Sequence, residues 1–283
     1  MTNTETQNGM LKFTTPHGVL SYRPEFDGKA IAHMKEHSAF MKSDLALMRA
    51  FISPDDEIID VGANIGGFTV PFSKYARKVH AFEPIPETAD QLDYNLAQNG
   101  TTNVVVHRAG LSDASGVLYP RRAPDAGSTS LSSAHKDGDE ETVPVTTLDE
   151  CFGSIKISFI KIDVEGMEVS VLRGGAKLIA ASRPVIFFEI QKGNMEAYGT
   201  SFAALVRLFP NYAFYYNLHL PQDGAYRLGR LPWLGFLRFG SGTRNVLAVP
   251  KEYGEKFPHV GRITTFLTLI IRKFVNIVKR YIL

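Results

Sequence analysis

Two groups of residues in this sequence have the types and spacing that chemistry needs. The first is a set of carboxylates. Asp163 and Glu165 stand in Lys161-Ile162-Asp163-Val164-Glu165-Gly166, directly after an apolar run, and Glu189 ends a second run, Phe187-Phe188-Glu189-Ile190. Acids gathered on one rim can supply a general base or the oxygen ligands of a divalent cation. The plainer reading is that Asp163 binds the amino group of a cofactor and Glu165 caps the helix that follows, because helix N-termini favour acids. Glu168 then reads as an ordinary first-turn acid. The second group is Ile58-Ile59-Asp60-Val61-Gly62-Ala63-Asn64-Ile65-Gly66-Gly67-Phe68-Thr69, a buried strand running into a glycine-rich turn and a helix. Glycines take positive φ and let a backbone approach a ligand, and the helix start offers free N–H groups. Glu83 follows Gly62 by 21 residues, at the end of the next apolar run. A carboxylate there can accept both hydroxyls of an adenosine ribose.

NAD and S-adenosylmethionine both carry that ribose, and the turn separates them. The dinucleotide fingerprint G-x-G-x-x-G uses its second glycine to let the pyrophosphate touch the backbone. Asn64 holds that place, and its side chain would fill the phosphate position. S-adenosylmethionine has no phosphate, and Asn64 can hydrogen-bond its methionine part. A tight turn with no ligand is the bland alternative.

The elements that position these groups follow an alternating pattern. Apolar or β-branched runs occur at Glu57–Val61, Lys78–Phe82, Asn103–His107, Ile157–Ile162 and Val185–Ile190. Helical spacing is read over Ser38–Ile52, Gly66–Tyr75, Pro86–Asn99 and Glu168–Ala180. This βαβα order predicts an α/β fold, a doubly wound and mostly parallel sheet with helices on both faces. Tyr212–Leu218 and Asn245–Pro250 are expected to close the sheet as an antiparallel pair. Two segments break the rhythm: the polar stretch Tyr119–Glu141, read as a long loop, and Pro221–Thr243.

Composition bounds the function. With 44% hydrophobic and 21% charged residues, the chain can bury a large core. Its one cysteine, Cys151, permits no internal disulfide and no Cys-rich zinc site, so a reducing, cytoplasmic setting is expected. Met1–Met10 has neither a basic nor an apolar region, so no secretory signal is read there. The last 22 residues hold five basic side chains and no acid, which leaves 26 basic against 29 acidic elsewhere, a net −3. A mildly acidic body argues against nucleic acid as the partner.

The ordered motifs Asp60-Val61-Gly62-Ala63-Asn64-Ile65-Gly66, Phe82-Glu83-Pro84, Gly110-Leu111-Ser112-Asp113 and Lys161-Ile162-Asp163-Val164-Glu165-Gly166 resemble the FkbM family of S-adenosylmethionine-dependent O-methyltransferases. Val143, Thr146-Thr147-Leu148-Asp149 and Glu189 also match, and the resemblance runs from about Phe40 to Pro250. It implies the class I methyltransferase fold, Rossmann-like, with seven strands and an antiparallel last strand. It implies S-adenosylmethionine as cofactor and a hydroxyl acceptor, on a sugar, glycan, glycolipid or secondary metabolite. The implied cofactor residues are Asp60, Gly62, Asn64 and Gly66 toward the methionine part, Glu83 at the ribose, Leu111, Ser112 and Asp113 beside the adenine, and Asp163. Asp163, Glu165 and Glu189 are the candidates for the catalytic acid–base group, with a divalent cation possible. The domains expected are an N-terminal extension over 1–37, the methyltransferase domain over 38–250 and a basic tail over 251–283.

Other residues have two readings each. His80 and His107 read as core or edge residues. His135 and Gly127-Ser128-Thr129-Ser130-Leu131 lie in the polar stretch and either reach over the site or stay solvated. Arg121-Arg122 is a solvated pair or an anion contact. Tyr226, Trp233, Phe236 and Phe239 form an acceptor platform or a local core. Residues 262–283 are amphipathic, with Arg272, Lys273, Lys279 and Arg280 on one face and Ile263, Phe266, Ile270 and Phe274 on the other. Such a helix binds a membrane surface, in this case the inner face, or docks on the body or a second copy. The competing functional classes are a nicotinamide dehydrogenase and a non-catalytic interaction module with the same sheet.

Overall fold

The computed structural model describes residues 3–5, 9–23, 38–122, 129–134, 141–217, 228–230 and 243–254. The expectations for Tyr226, Trp233, Phe236, Phe239, His135 and the tail from 262 fall outside these residues.

A small antiparallel sheet of β1 (Asn3–Glu5), β2 (Leu11–Thr15) and β3 (Gly18–Tyr22) comes first. Helix α1 (Ser38–Arg49) leads into β4 (Glu57–Val61), and α2 (Thr69–Phe72) into β5 (Lys78–Phe82). Helix α3 (Pro86–Gln98) starts with Pro86, whose missing N–H costs nothing in a first turn. It leads into β6 (Val104–His107). Four short strands follow: β7 (Gly110–Leu111), β8 (Gly116–Arg122), β9 (Thr129–Ser132) and β10 (Val143–Thr146). Helix α4 (Leu148–Phe152) precedes β11 (Phe159–Ile162), and α5 (Glu168–Arg173) and α6 (Ala176–Ser182) precede β12 (Val185–Gln191). The chain continues through α7 (Lys192–Ala197), α8 (Phe202–Arg207), β13 (Tyr212–Asn217), β14 (Leu228–Arg230) and β15 (Thr243–Pro250).

The main sheet has the order β14-β13-β15-β12-β11-β4-β5-β6. Strands β12, β11, β4, β5 and β6 are parallel neighbours, and β15 runs antiparallel between β12 and β13. Leaving aside the three-residue β14 at the edge, this is the seven-stranded class I methyltransferase sheet. The extra edge strand is the one departure from the expected count.

Alternation along the strands decides what each face carries. Ile59, Val61, Ile160, Ile162, Ile186 and Phe188 pack against α4, α5, α6 and α8. Ile58, Phe159, Val185 and Phe187 pack on the other face against α1 and α2. Asp60, Lys161 and Glu189 have this second parity, so one face of the sheet changes from apolar to charged toward the carboxyl ends of its strands. Strand β3 locks onto α3: Asn95 takes the Ser21 N–H at 2.8 Å and Asn99 takes that of Val19 at 2.9 Å.

Three expectations are corrected. The helix read over Gly66–Tyr75 is only Thr69–Phe72, with turns on both sides. The helix read over Glu168–Ala180 breaks at Gly174-Gly175. A Cβ on Gly174 would stand 2.0 Å from the Ser112 carbonyl oxygen, so the chain there presses backbone to backbone. The polar stretch from Tyr119 is not all loop. β8 and β9 pair antiparallel, and Leu118, Leu131, Val143 and Val145 form a small core with Ile85 and Met167.

Candidate functional site

The glycine-rich turn leaves β4 and closes on itself. Gly62 and Ala63 donate their N–H groups to Phe82 O, Asn64 to Glu83 Oε2, Ile65 to Asn64 Oδ1 and Gly66 to Ala63 O. All five amides are therefore committed within the protein. Gly62, Asn64 and Gly66 have φ of +74°, +50° and +97°. Asn tolerates this region better than most side chains, which explains its place in the turn. The glycines are required for close packing inside the protein, which the sequence does not reveal. A Cβ on Gly62 would meet Asp163 O, and one on Gly66 would meet Leu92 at 2.9 Å.

Glu83, past the end of β5, is 6% exposed. Its Oε2 accepts from Asn64 and its Oε1 from Ile85, each at 3.0 Å, and each oxygen keeps a second lone pair. Burial pushes its carboxyl up to about 7, against the two backbone hydrogen bonds and the charge of Lys161.

Lys161 is the residue that sequence reading missed. It lies mid-strand in β11, 2% exposed, opposite Asp60 of β4. Its Nζ stands 3.2 Å from Asp60 Oδ1, 3.5 Å from Asp163 Oδ2 and 3.3 Å from Gly62 O, and 5.2 Å from the centre of the Phe68 ring. Burial opposes its charge, but Asp60, Asp163 and Glu189 hold the ammonium above its ordinary value. Asp60 is fully buried and also accepts from the Thr69 hydroxyl at 2.6 Å. It is thus an internal counterion and not a group facing a ligand. The available signal was a lysine inside an otherwise apolar strand, which must be paired to be buried.

Asp163, Glu165 and Glu189 do come together. The Glu189 carboxyl is hydrogen-bonded to Asp163, and burial, then the charge and hydrogen bond of Asp163, then Glu165 raise it well above the carboxylate range. Two such groups share a proton sooner than both ionise. Glu165 has φ +52° and accepts from the Asn194 amide at 3.0 Å. Burial first, and Asp163 next, push its carboxyl up. Glu165 does not cap α5. Glu168, read as ordinary, takes the Gly166 N–H at 3.1 Å instead. It is 3% exposed, and burial pushes it up to about 7.

Leu111 packs in the main core, and Ser112 donates its N–H to Thr146 O at 2.9 Å. The Asp113 side chain is exposed. His80 and His107 are core residues on the opposite face of the sheet, linked at 3.0 Å, with His80 bonded to Glu57 at 2.7 Å. Arg121 donates to the Ala134 carbonyl and lies over Tyr119. Among the described residues no group of His, Cys, Asp and Glu has the arrangement of a metal site.

The methyltransferase FkbM domain matches residues 60–216, more than half of the sequence. The chain belongs to the FkbM methyltransferase family. The FkbM domain here is 35% identical over 144 residues to the hexuronic acid methyltransferase AglP of Haloferax volcanii, covering 49% of this chain and 57% of that protein. It is 32% identical over 150 residues to Methyltransferase 1 of Beauveria bassiana, covering 43% and 59%. The chain thus spans less than two thirds of the relatives' lengths. An FkbM methyltransferase structure from Methylobacillus flagellatus is 18% identical with TM-score 0.45, over 69% of this chain and 44% of that one. The FkbM donor set suits S-adenosylmethionine chemically. A carboxylate with free lone pairs suits a ribose diol, and a carboxylate group suits a sulfonium and an ammonium.

Proposed function

We propose that this protein transfers the methyl group of S-adenosylmethionine to a hydroxyl oxygen of a sugar or glycan-like acceptor. The observation that carries the donor is the turn from Gly62 to Gly66, whose five amides are all used internally while Glu83 keeps lone pairs at the next strand end. A pyrophosphate needs such amides, so their use within the turn counts against the nicotinamide reading. Sugar acceptors are favoured by the likeness to the hexuronic acid methyltransferase of Haloferax volcanii.

When bound, the cofactor supplies a methyl group on an electrophilic sulfonium. Glu83 binds the ribose hydroxyls, with Asn64 and Gly62 along the methionine part and Asp113 and its neighbours along the adenine. Asp163 and Glu165 face the positive charge and align the acceptor, which is the main demand of an in-line displacement. The proton of the acceptor hydroxyl passes to the Asp163–Glu189 pair. The divalent cation considered from sequence has no assigned ligands here.

Calorimetric titration with S-adenosylmethionine, S-adenosylhomocysteine and NAD tests the donor. Micromolar binding of the first two and none of the third is expected, and NAD binding alone would overturn the reading. Radiolabelled methyl transfer to neutral glycosides, uronic acids, glycolipids and transfer RNA then tests the acceptor. Label in an alkali-stable ether on a sugar is expected. Label in a base-labile ester or in RNA would overturn the hydroxyl reading.

A further inference from the structure

We infer that Lys161 is a positioning residue of the cofactor site, whose buried ammonium holds the Asp60 and Asp163 carboxylates and the Gly62 carbonyl in one arrangement. The inference rests on the proposed cofactor and adds a role that the carboxylates alone do not show.

The geometry carries it. Strands β4 and β11 put Asp60 and Lys161 opposite each other on one face, and the next residue of that parity on β11 is Asp163. The ammonium lies within 3.5 Å of an oxygen from each of Asp60, Gly62 and Asp163. It thereby ties the glycine-rich turn to the acid that follows β11. The Phe68 ring closes one side at 5.2 Å. No water layer screens Lys161 from Asp60, since both are buried, whereas the Asp163 side chain is about a third exposed.

The surrounding groups are mostly acidic. Glu83 faces Lys161 from β5, Glu165 faces Asp163 from the same turn, and Glu189 faces both from β12. Helix α2 brings the Thr69 hydroxyl onto Asp60. Helix α1 brings Asp44, bonded at 2.6 Å to Asn245, the residue paired with Glu189. Lys161 is the cation at the centre of this layer. Without it, Asp60 and Asp163 would be buried or half-buried charges without compensation.

S-adenosylmethionine and S-adenosylhomocysteine separate this role from a purely structural one, because they differ by the methyl group and the positive charge. The preference for the charged ligand should depend on where the Asp163 carboxylate is held. Affinities of both ligands are measured by calorimetry for the wild type, Lys161→Met and Lys161→Arg. In Lys161→Met the preference for S-adenosylmethionine over S-adenosylhomocysteine should drop about tenfold or more, because the Asp163 carboxylate is no longer held in place. Lys161→Arg should restore part of it. Equal weakening of both ligands, with no recovery in Lys161→Arg, would overturn the inference and leave Lys161 as packing. If the wild type binds neither ligand, the donor reading fails and the inference with it. If Lys161→Met does not fold, Lys161→Met/Asp60→Asn, which removes one charge of each sign, is measured with the same expected loss of preference. An unchanged preference in that form overturns the inference.

Discussion

Gly62 and Asp163 touch backbone to backbone: a Cβ on Gly62 would stand 1.9 Å from the Asp163 carbonyl oxygen, at a φ of +74°. The turn after β4 and the turn after β11 are therefore one unit, fixed at the point where the cofactor's sulfonium should lie. Gly62→Ala meets both a left-handed backbone, which costs about 1–2 kcal/mol, and a clash with backbone that has no rotamer to move away. A loss of about 3 kcal/mol or more in urea unfolding is expected. Cofactor affinity should fall further than stability predicts, because Asp163 must move to make room. A variant with wild-type stability would show that the two turns separate easily.

In the proposed site Glu83 would take the ribose contact, and with it comes a pH dependence. Its carboxyl sits near 7 because burial outweighs two backbone hydrogen bonds. A ribose diol donates to the ionised form, so binding should weaken as pH falls below about 7 and should release a proton near that pH. Glu83→Gln keeps an acceptor for one backbone amide but gives up the charge. Hydrogen bonds to charged groups contribute about 1.5–3 kcal/mol, so S-adenosylhomocysteine should bind roughly ten to a hundred times more weakly. Its affinity should also lose the pH dependence below 7. Calorimetry in two buffers of different ionisation enthalpy measures both quantities.

The strands were the legible part of the sequence. Glu57–Val61 and Lys78–Phe82 were read with the bounds they have, because strands buried on both faces are apolar throughout. The acids at the strand ends were legible because their motifs sit where apolar runs stop. The break at Gly174-Gly175 was not, since helical periodicity says nothing about a distant Ser112 carbonyl pressing on the backbone. Glu168 was misread for the same kind of reason. Its spacing fits a solvated first turn, and only the tertiary fold shows that it is buried, with its carboxyl on the Gly166 N–H of the turn after β11. The pairing of β8 with β9 was hidden by the Pro, Gly and Ser content between them.

Glu168 lowers stability at neutral pH. One oxygen holds the Gly166 N–H, the other has no hydrogen-bond partner, and burial has raised the carboxyl from 4.5 to about 7. A raised folded-state pKa means that the folded protein binds the extra proton. The resulting stability is complete below about 4.5 and is lost as pH rises to about 7. Glu168→Gln keeps the acceptor and cannot ionise. It should be more stable than the wild type at about pH 8, by an amount of order 2 kcal/mol, and the advantage should vanish by about pH 4.5. Unfolding curves at the two pH values decide this. A variant less stable at both would show that the carboxylate has a partner in solution.

The chain Glu57–His80–His107 acts with the opposite sign. His80 bonds Glu57 at 2.7 Å and His107 at 3.0 Å, and His107 lies flat on Phe82 with 4.3 Å between ring centres. Burial first, then the neighbouring positive charge of His80 and Lys78, hold His107 down at about 4. Burial likewise lowers His80, although Glu57 works against it. Histidines held neutral by the fold are protonated first in the unfolded chain. Stability from this chain is therefore present above about 6.5 and is lost as pH falls toward 4. In the wild type this loss is partly offset by Glu168 over much of the same range, so the total slope is shallow. Glu168→Gln should expose it, with stability falling more steeply on acidification than in the wild type. Adding His107→Gln, which keeps a donor for the His80 ring nitrogen, should reduce that slope by up to one proton. Proton uptake on unfolding, taken from the pH dependence of urea midpoints, checks the sign. An unchanged slope in the double variant would place the acid sensitivity elsewhere in the fold.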